Sequence, residues 1–263
     1  MMSCQITVPD FYLHVARGMV PGHRAVNKYG HNGDVDAVVP EDIWSVGGVL
    51  DYLLAPEPML IWSGSDQDSL TGAGARRVRI FGLDGQYRLI DEWVDLQGTT
   101  AVTTTQAYLR VYRMYIGPVG ASGVNEATIF CDPAGQGATS RQAQIMPREG
   151  QTTGTHYTVP GGVDAYLTGA YVSVGRGVPL PGTSVREIEM RLFIRERRMG
   201  WRMQQNWLIR SDGGAVAGDL AFKAPLKLKP RSDIRWSAKA DSSNTAVYAQ
   251  YGLIEIDRPD DGD

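Results

Sequence analysis

Residues 187–197 read EIEMRLFIRER, and residues 201–210 read WRMQQNWLIR. In the first run Ile188, Met190, Leu192 and Ile194 fall on one side of an extended chain, while Glu187, Glu189, Arg191, Arg195 and Arg197 fall on the other. That two-residue period belongs to a β-strand with one buried face, because a helix of 3.6 residues per turn would spread the same charges around its axis. The second run repeats the device, with Trp201, Met203, Trp207 and Ile209 set against Arg202, Gln204, Asn206 and Arg210. Met199-Gly200 between them suits a hairpin or a bulge, so the two runs are expected to pair.

Working outward, the same rhythm marks strands at RRVRIF, YRLIDEWVDL, AYLRVYRMYI, ATIFC, RQAQIM, HYTVP, AYLTGAYVSV, AFKAPLKLK, DIRWSAKA and AVYAQYGLIEI. Turn signals such as LDG, PAGQG, PGG, SDGG and DSSN separate them. Many short strands at regular spacing, with no long helical pattern, predict an all-β chain folded as an antiparallel β-sandwich over residues 46–257. In AFKAPLKLK, Lys223, Lys227, Lys229 and Pro225 lie on the wet face, the composition of a protected edge strand. Residues 1–45 mix Gly, Pro, His and Asn without a sustained period and are expected to form an extended, irregular arm that folds onto the sandwich or onto a neighbouring subunit. Within that arm Tyr29, Ile43 and Trp44 are the candidate partner contacts. Residues 258–263, RPDDGD, are expected to be an acidic, flexible tail.

Bulk composition narrows the function. With 43% hydrophobic and 21% charged residues the chain can bury a core, and a net charge of −3 argues against a general grip on nucleic-acid backbones. Only two cysteines are present, Cys4 and Cys131, too few for a secreted disulfide scaffold, so free thiols and synthesis in the cytoplasm are expected. No export leader is expected at the N-terminus, and the most apolar stretch, VGGVLDYLLAPEPMLIW, is broken by Asp51, Glu57 and two prolines, which is incompatible with a membrane-spanning helix.

The stretch WSGSDQDSLTGAGARRVRIFGLDG, residues 62–85, combines an acidic pair, Asp66 and Asp68, with Gly72, Gly74 and a basic cluster. A phosphate-binding glycine loop must open a helix, yet GAGARR runs into the strand VRIF, and Arg77 stands where GxGxxG needs its last glycine. The acidic pair alone supplies too few oxygens for calcium. A solvated inter-strand loop is therefore expected, without a cofactor or a metal. His14, His23, His31 and His156 accompany no recognisable nucleophile elbow or zinc motif. Glu187 and Glu189 share a strand face about 7 Å apart, a spacing compatible with two-carboxylate glycoside chemistry, but alternating charges also make an ordinary wet face.

The segments VNKYGHNGDVD, PEDIWSVGG, IWSGSDQDSLTGAGARRVRIFGLD, YTVPGG and APLKLKPRSDIRW give the chain, from about residue 24 to 256, a resemblance to structural proteins encoded by tailed bacteriophages, particularly phages of marine bacteria. The resemblance implies a non-enzymatic virion component with a sandwich of jelly-roll type, present in several copies and made in the host cytoplasm. Its place would be the capsid surface as a decoration or cement protein, a vertex or head spike, or the head-to-tail region. Its partners would be copies of itself and other virion proteins, with neither nucleic acid nor membrane. Two rivals stand beside it: a receptor- or carbohydrate-binding tail domain using surface aromatics, and a virion-associated glycan hydrolase using Glu187 and Glu189.

Overall fold

A computed structural model describes residues 8–176, 186–211, 216–220, 222–242 and 245–258. Helix α1 (Val8–Ala16) leads into β1 (His23–Asn32) and β2 (Glu41–Asp42). A second group follows: β3 (Glu57–Ser63), β4 (Arg77–Leu83), β5 (Leu89–Asp95), β6 (Val102–Tyr108), β7 (Arg110–Ile116), β8 (Ile129–Pro133) and β9 (Ala143–Ile145). The third group comprises β10 (Tyr157–Thr158), β11 (Val163–Arg176), β12 (Arg186–Arg195), β13 (Arg202–Ser211), β14 (Val216–Leu220), β15 (Leu226–Leu228), β16 (Asp233–Ala240) and β17 (Thr245–Asp257). Every pairing between these strands is antiparallel, so the chain is all-β as its periodicity predicts. Among the described residues no helix is long and apolar enough to cross a membrane.

The first and third groups build one sandwich. One sheet has the order β1-β17-β11-β14, with β15 beside β14 on the same edge of β11, and the other has the order β10-β16-β12-β13, with β2 also on β16. Between them lies a core fed by alternate residues: Leu167, Val172 and Val174 from β11, Ile188, Met190 and Leu192 from β12, Trp236 from β16, and Val247 and Leu253 from β17. Trp236 is the largest fully buried side chain, and its ring stacks on Trp207 with centroids 5.3 Å apart and planes within 16°. The two runs pair as the sequence suggests, in a hairpin β12-β13 that sets Ile188 opposite Ile209 and Met190 opposite Trp207, but a register shift after Leu192 sends Met203 opposite Phe193. Met203, expected on the buried face, is therefore 53% exposed, since one extra residue turns every following side chain over.

Strands β2 and β10 occupy one strand position. Glu41 and Asp42 oppose Ala238 and Ser237, and further along the same edge of β16 Tyr157 and Thr158 oppose Ile234 and Asp233. At the gap the Ile43 amide donates to the Trp236 carbonyl at 3.0 Å, and the Thr155 amide donates to the Ile43 carbonyl at 3.1 Å. The strand is thus interrupted after Ile43 and resumes at Thr155, and the chain between them leaves to build a second unit. That unit has its own two sheets, β6-β3-β8-β9 and β5-β4-β7, around a separate core of Met59, Ile61, Val78, Ile80, Met114, Ile129, Cys131 and Ile145. Its sheets meet where the Glu92 carboxylate of β5 accepts the amides of Thr105 and Gln106 in β6, at 2.9 and 3.0 Å.

Two boundaries differ from the sequence reading. Residues 46–257 hold two hydrophobic cores where one sandwich was expected, because period-two patterning is identical in either core. Residues 1–45, expected as an arm, contain a ten-residue strand whose register on β17 runs unbroken from His23 opposite Ile256 to Asn32 opposite Val247. The pattern escaped notice because the buried positions of β1 are Lys28, Gly30 and Asn32, none of them apolar. Gly30 is required there, since a Cβ would lie 2.2 Å from the Ile43 carbonyl oxygen. The acidic tail falls almost wholly outside the described residues.

Lys28 lies between the two units. Its ammonium donates to the Tyr112 carbonyl of β7, and burial, followed by the nearby Arg113 charge, lowers its pKa to about 7.

Replacing Trp236 with alanine is expected to cost about 3–5 kcal/mol in chemical denaturation, the range for removing a large buried aromatic ring. Deleting residues 1–45 removes β1 and half of the interrupted strand, so the remainder should lose its cooperative unfolding transition, whereas deleting residues 1–22 should preserve it. A truncated chain starting at residue 46 with the parental melting temperature would refute the integral role of β1. For Lys28, the unfolded chain keeps a proton between pH 7 and 10.5 that the folded chain has shed, so the folded state gains stability with rising pH in that window. The stability of Lys28→Met relative to the parent should therefore be most favourable near pH 6 and decline toward pH 10. A difference constant across that range would contradict the burial of the ammonium.

Candidate functional site

The richest concentration of charge lies where the inserted unit meets β16. Arg110 of β7 is buried and forks onto Asp233 of β16, with Nε to Oδ1 at 3.0 Å and Nη2 to Oδ2 at 3.3 Å. Its Nη1 donates to the carbonyls of Leu53 and Leu109 at 2.9 and 2.7 Å. Asp233 also accepts from Arg195 Nη2 at 2.6 Å and from the Thr158 hydroxyl at 2.6 Å. The guanidinium groups of Arg110 and Arg195 both lie against Tyr52, 4.8 and 4.7 Å from its ring centre. Beside this group His156 Nε2 lies 2.9 Å from Asp42 Oδ2, which also accepts the Leu50 amide at 2.9 Å. Trp44, Leu50 and Tyr52, with Val46 and Trp201 against them, fill the rest of the junction with apolar contact.

Buried charges are tolerated when each is paired and hydrogen-bonded, and a single unpartnered charge at such a depth is costly. Asp233 with two arginines and a threonine meets that condition, as does Arg110 with one carboxylate and two carbonyls. The arrangement fixes the angle between two sandwiches. The side-chain hydrogen bond of His156 goes to Asp42, and among the described residues no hydroxyl or thiol is hydrogen-bonded to its ring. The Cys131 thiol sits in the inserted core, where burial and then the Asp132 charge raise its pKa well above the ordinary range.

The residues singled out in the sequence are dispersed. Ile43 and Trp44 belong to the junction, buried within their own chain, while Tyr29 is half-buried on the outer face of the β1-β17-β11-β14 sheet. Asp68 is fully buried and its carboxylate is filled by donors: the Ser63 hydroxyl at 2.6 Å and the amides of Ala75, Glu126 and Ala127 at 2.8, 2.9 and 3.1 Å. Asp66 accepts from the Thr99 hydroxyl and amide at 2.7 and 3.1 Å. The acidic pair therefore ties three loops together. Gly74 is there because a Cβ would stand 2.2 Å from Asp68 Oδ1. Glu189 pairs with Arg191 and accepts from Asn206 Nδ2 at 2.9 Å, and these hydrogen bonds lower its pKa, the reverse of what a general acid for glycoside cleavage requires.

Arg110, Asp233 and Asp42 were not found from the sequence, and His156 was read there only as a histidine without a catalytic or zinc motif. Asp233 shares strand parity with Arg235 and Lys239, the parity that reads as a wet face, and it is buried only because the inserted unit covers that end of the sheet. A two-residue period separates the core from everything else and cannot separate water from a second domain.

No protein-family model matches the sequence, and no curated protein matches it. Among solved structures, that of the infectious bursal disease virus Gt strain aligns over 97% of this chain and 82% of the other at 9% identity and a TM-score of 0.20. The VP2 subviral particle of the same virus aligns over 95% of this chain and 78% of the other at 8% identity and a TM-score of 0.24. Scores at this level reflect a common abundance of strands and carry no argument about function.

Proposed function

We propose that the chain is a non-enzymatic structural component of a virion that works through contacts with copies of itself and with other virion proteins. The observation that supports this reading best is the strand order of the outer sandwich. Lettering its strand positions B to I along the chain, with the interrupted strand as C and β14 and β15 sharing G, gives sheets of order B-I-D-G and C-H-E-F. That order supports reading the outer sandwich as a jelly roll, an architecture used by viral shells as well as by lectins and cupins. Here the jelly roll carries a complete second sandwich in the middle of strand C, held at one angle by buried ion pairs. Symmetric assemblies need protomers whose contact surfaces keep their mutual orientation, and such a junction supplies that rigidity. The segments that resemble tailed-phage structural proteins point the same way, and within that reading a site on the capsid surface, at a vertex or at the head-to-tail region fits a two-body protomer. Of the three proposed partner contacts, Tyr29 alone is not buried within the chain.

Mass photometry and negative-stain electron microscopy of the purified chain, alone and mixed with the phage shell protein, test this. A discrete multimer or decoration of the particle is expected. A strict monomer that leaves the particle bare, or release of reducing sugar from host polysaccharide, would overturn the proposal.

A further inference from the structure

We propose that the outer face of the β1-β17-β11-β14 sheet carries a binding groove for a neutral saccharide. The register places Tyr29 opposite Gln250, Gln250 opposite Tyr171, and Tyr171 opposite Asp219, so four side chains from four strands form one row across the sheet. The next row is Asn27, Gly252 and Gly169, two of which have no side chain. A bulge between Leu167 and Gly169 opens the sheet further at this point, and the Thr168 hydroxyl pins it by donating to the Gly252 carbonyl at 3.1 Å. The result is a trough of about 560 Å³ with a backbone floor, walled by the row of rings, amide and carboxylate. Its size falls in the range of small-ligand sites, about 300–1,000 Å³.

The chemistry of the wall selects the ligand. Tyr29 and Tyr171 are separated by one intervening strand, so their rings stand about 10 Å apart, two inter-strand spacings. Between and beside them Gln250 and Asp219 offer an amide and a carboxylate, and among the described residues no intramolecular hydrogen bond engages either group or the two tyrosine hydroxyls. Aromatic faces that bury apolar C–H surface next to planar hydrogen-bonding heads suit a hexose, whose ring has apolar faces and a rim of hydroxyl groups. The charge at the trough is mixed, with the carboxylate of Asp219 at one end and the Arg113 guanidinium donating to the Asn27 carbonyl at 2.7 Å at the other, while the ammonium of Lys28 is turned through the sheet to the Tyr112 carbonyl, so no excess of positive charge selects an acidic sugar. The glycine floor is not demanded by folding at Gly169, where the backbone is outside the left-handed region and an added Cβ would meet nothing within 4 Å. A side chain placed there would fill the trough and disturb little else.

This inference shares Tyr29 with the assembly reading, and variants at the other end of the trough separate the two. Gly169→Val should leave melting temperature and particle binding unchanged. On an array of neutral gluco-, galacto- and manno-oligosaccharides, the parent chain should show saturable binding that weakens by about tenfold or more in Gly169→Val and in Tyr171→Ala. Failure to bind any neutral glycan, binding confined to sialylated or sulfated glycans, or equal binding by the parent and both variants would overturn the proposal.

Discussion

The fold depends on a single edge of β16. Trp236, at the centre of that strand, has the largest fully buried side chain of the outer core, and its carbonyl receives the last amide before the inserted unit departs. The strand that covers this edge is assembled from two pieces of chain more than a hundred residues apart, and neither piece alone is long enough to be a stable strand. Closing so large a loop costs little more entropy than closing a short one, because the penalty grows only with the logarithm of loop length. What makes the join secure is that both ends meet the same partner, with the Thr155 amide on the Ile43 carbonyl completing the ladder.

An insertion tethered at two adjacent points would still pivot if nothing else touched the host sandwich. Here the pivot is blocked by a salt-linked group, Arg110, Asp233 and Arg195, with both guanidinium groups also within 5 Å of the Tyr52 ring centre. Apolar contact alone would have tolerated many orientations, whereas a forked arginine satisfied by one carboxylate and two carbonyls tolerates few. Buried charge gives no assurance of greater stability, and its contribution here is directional. Lys28 adds a second polar tie of the same kind, since its donor reaches the Tyr112 carbonyl of the inserted unit.

The two faces of the outer sandwich have diverged in consequence. One sheet presents an end to the inserted unit and hides its polar residues there. The other keeps its outer face free, and there the tyrosines and amides of β1, β11 and β17 remain in contact with water beside a floor of glycine. A ligand or partner meeting that face would leave the joint between the two halves undisturbed.

The sequence by itself determined the class of structure. Alternation in Glu187–Arg197 required a strand, the turn residues required many of them, and the pairing of β12 with β13 followed from two matching runs. It also disposed of the nucleotide loop, because a strand follows GAGARR where a helix would be needed. Only the tertiary structure decided that Met203 turns outward, that HRAVNKYGHN is a strand, that Asp68 is a buried tie, and that one strand is split to admit a second sandwich. The physical reason is common to all four. Periodicity records which residues leave water, and it is blind to what replaces the water, so a glycine under a passing carbonyl, a carboxylate wrapped in amides and a charge against another domain look the same as a loop or a wet face until the chain is folded.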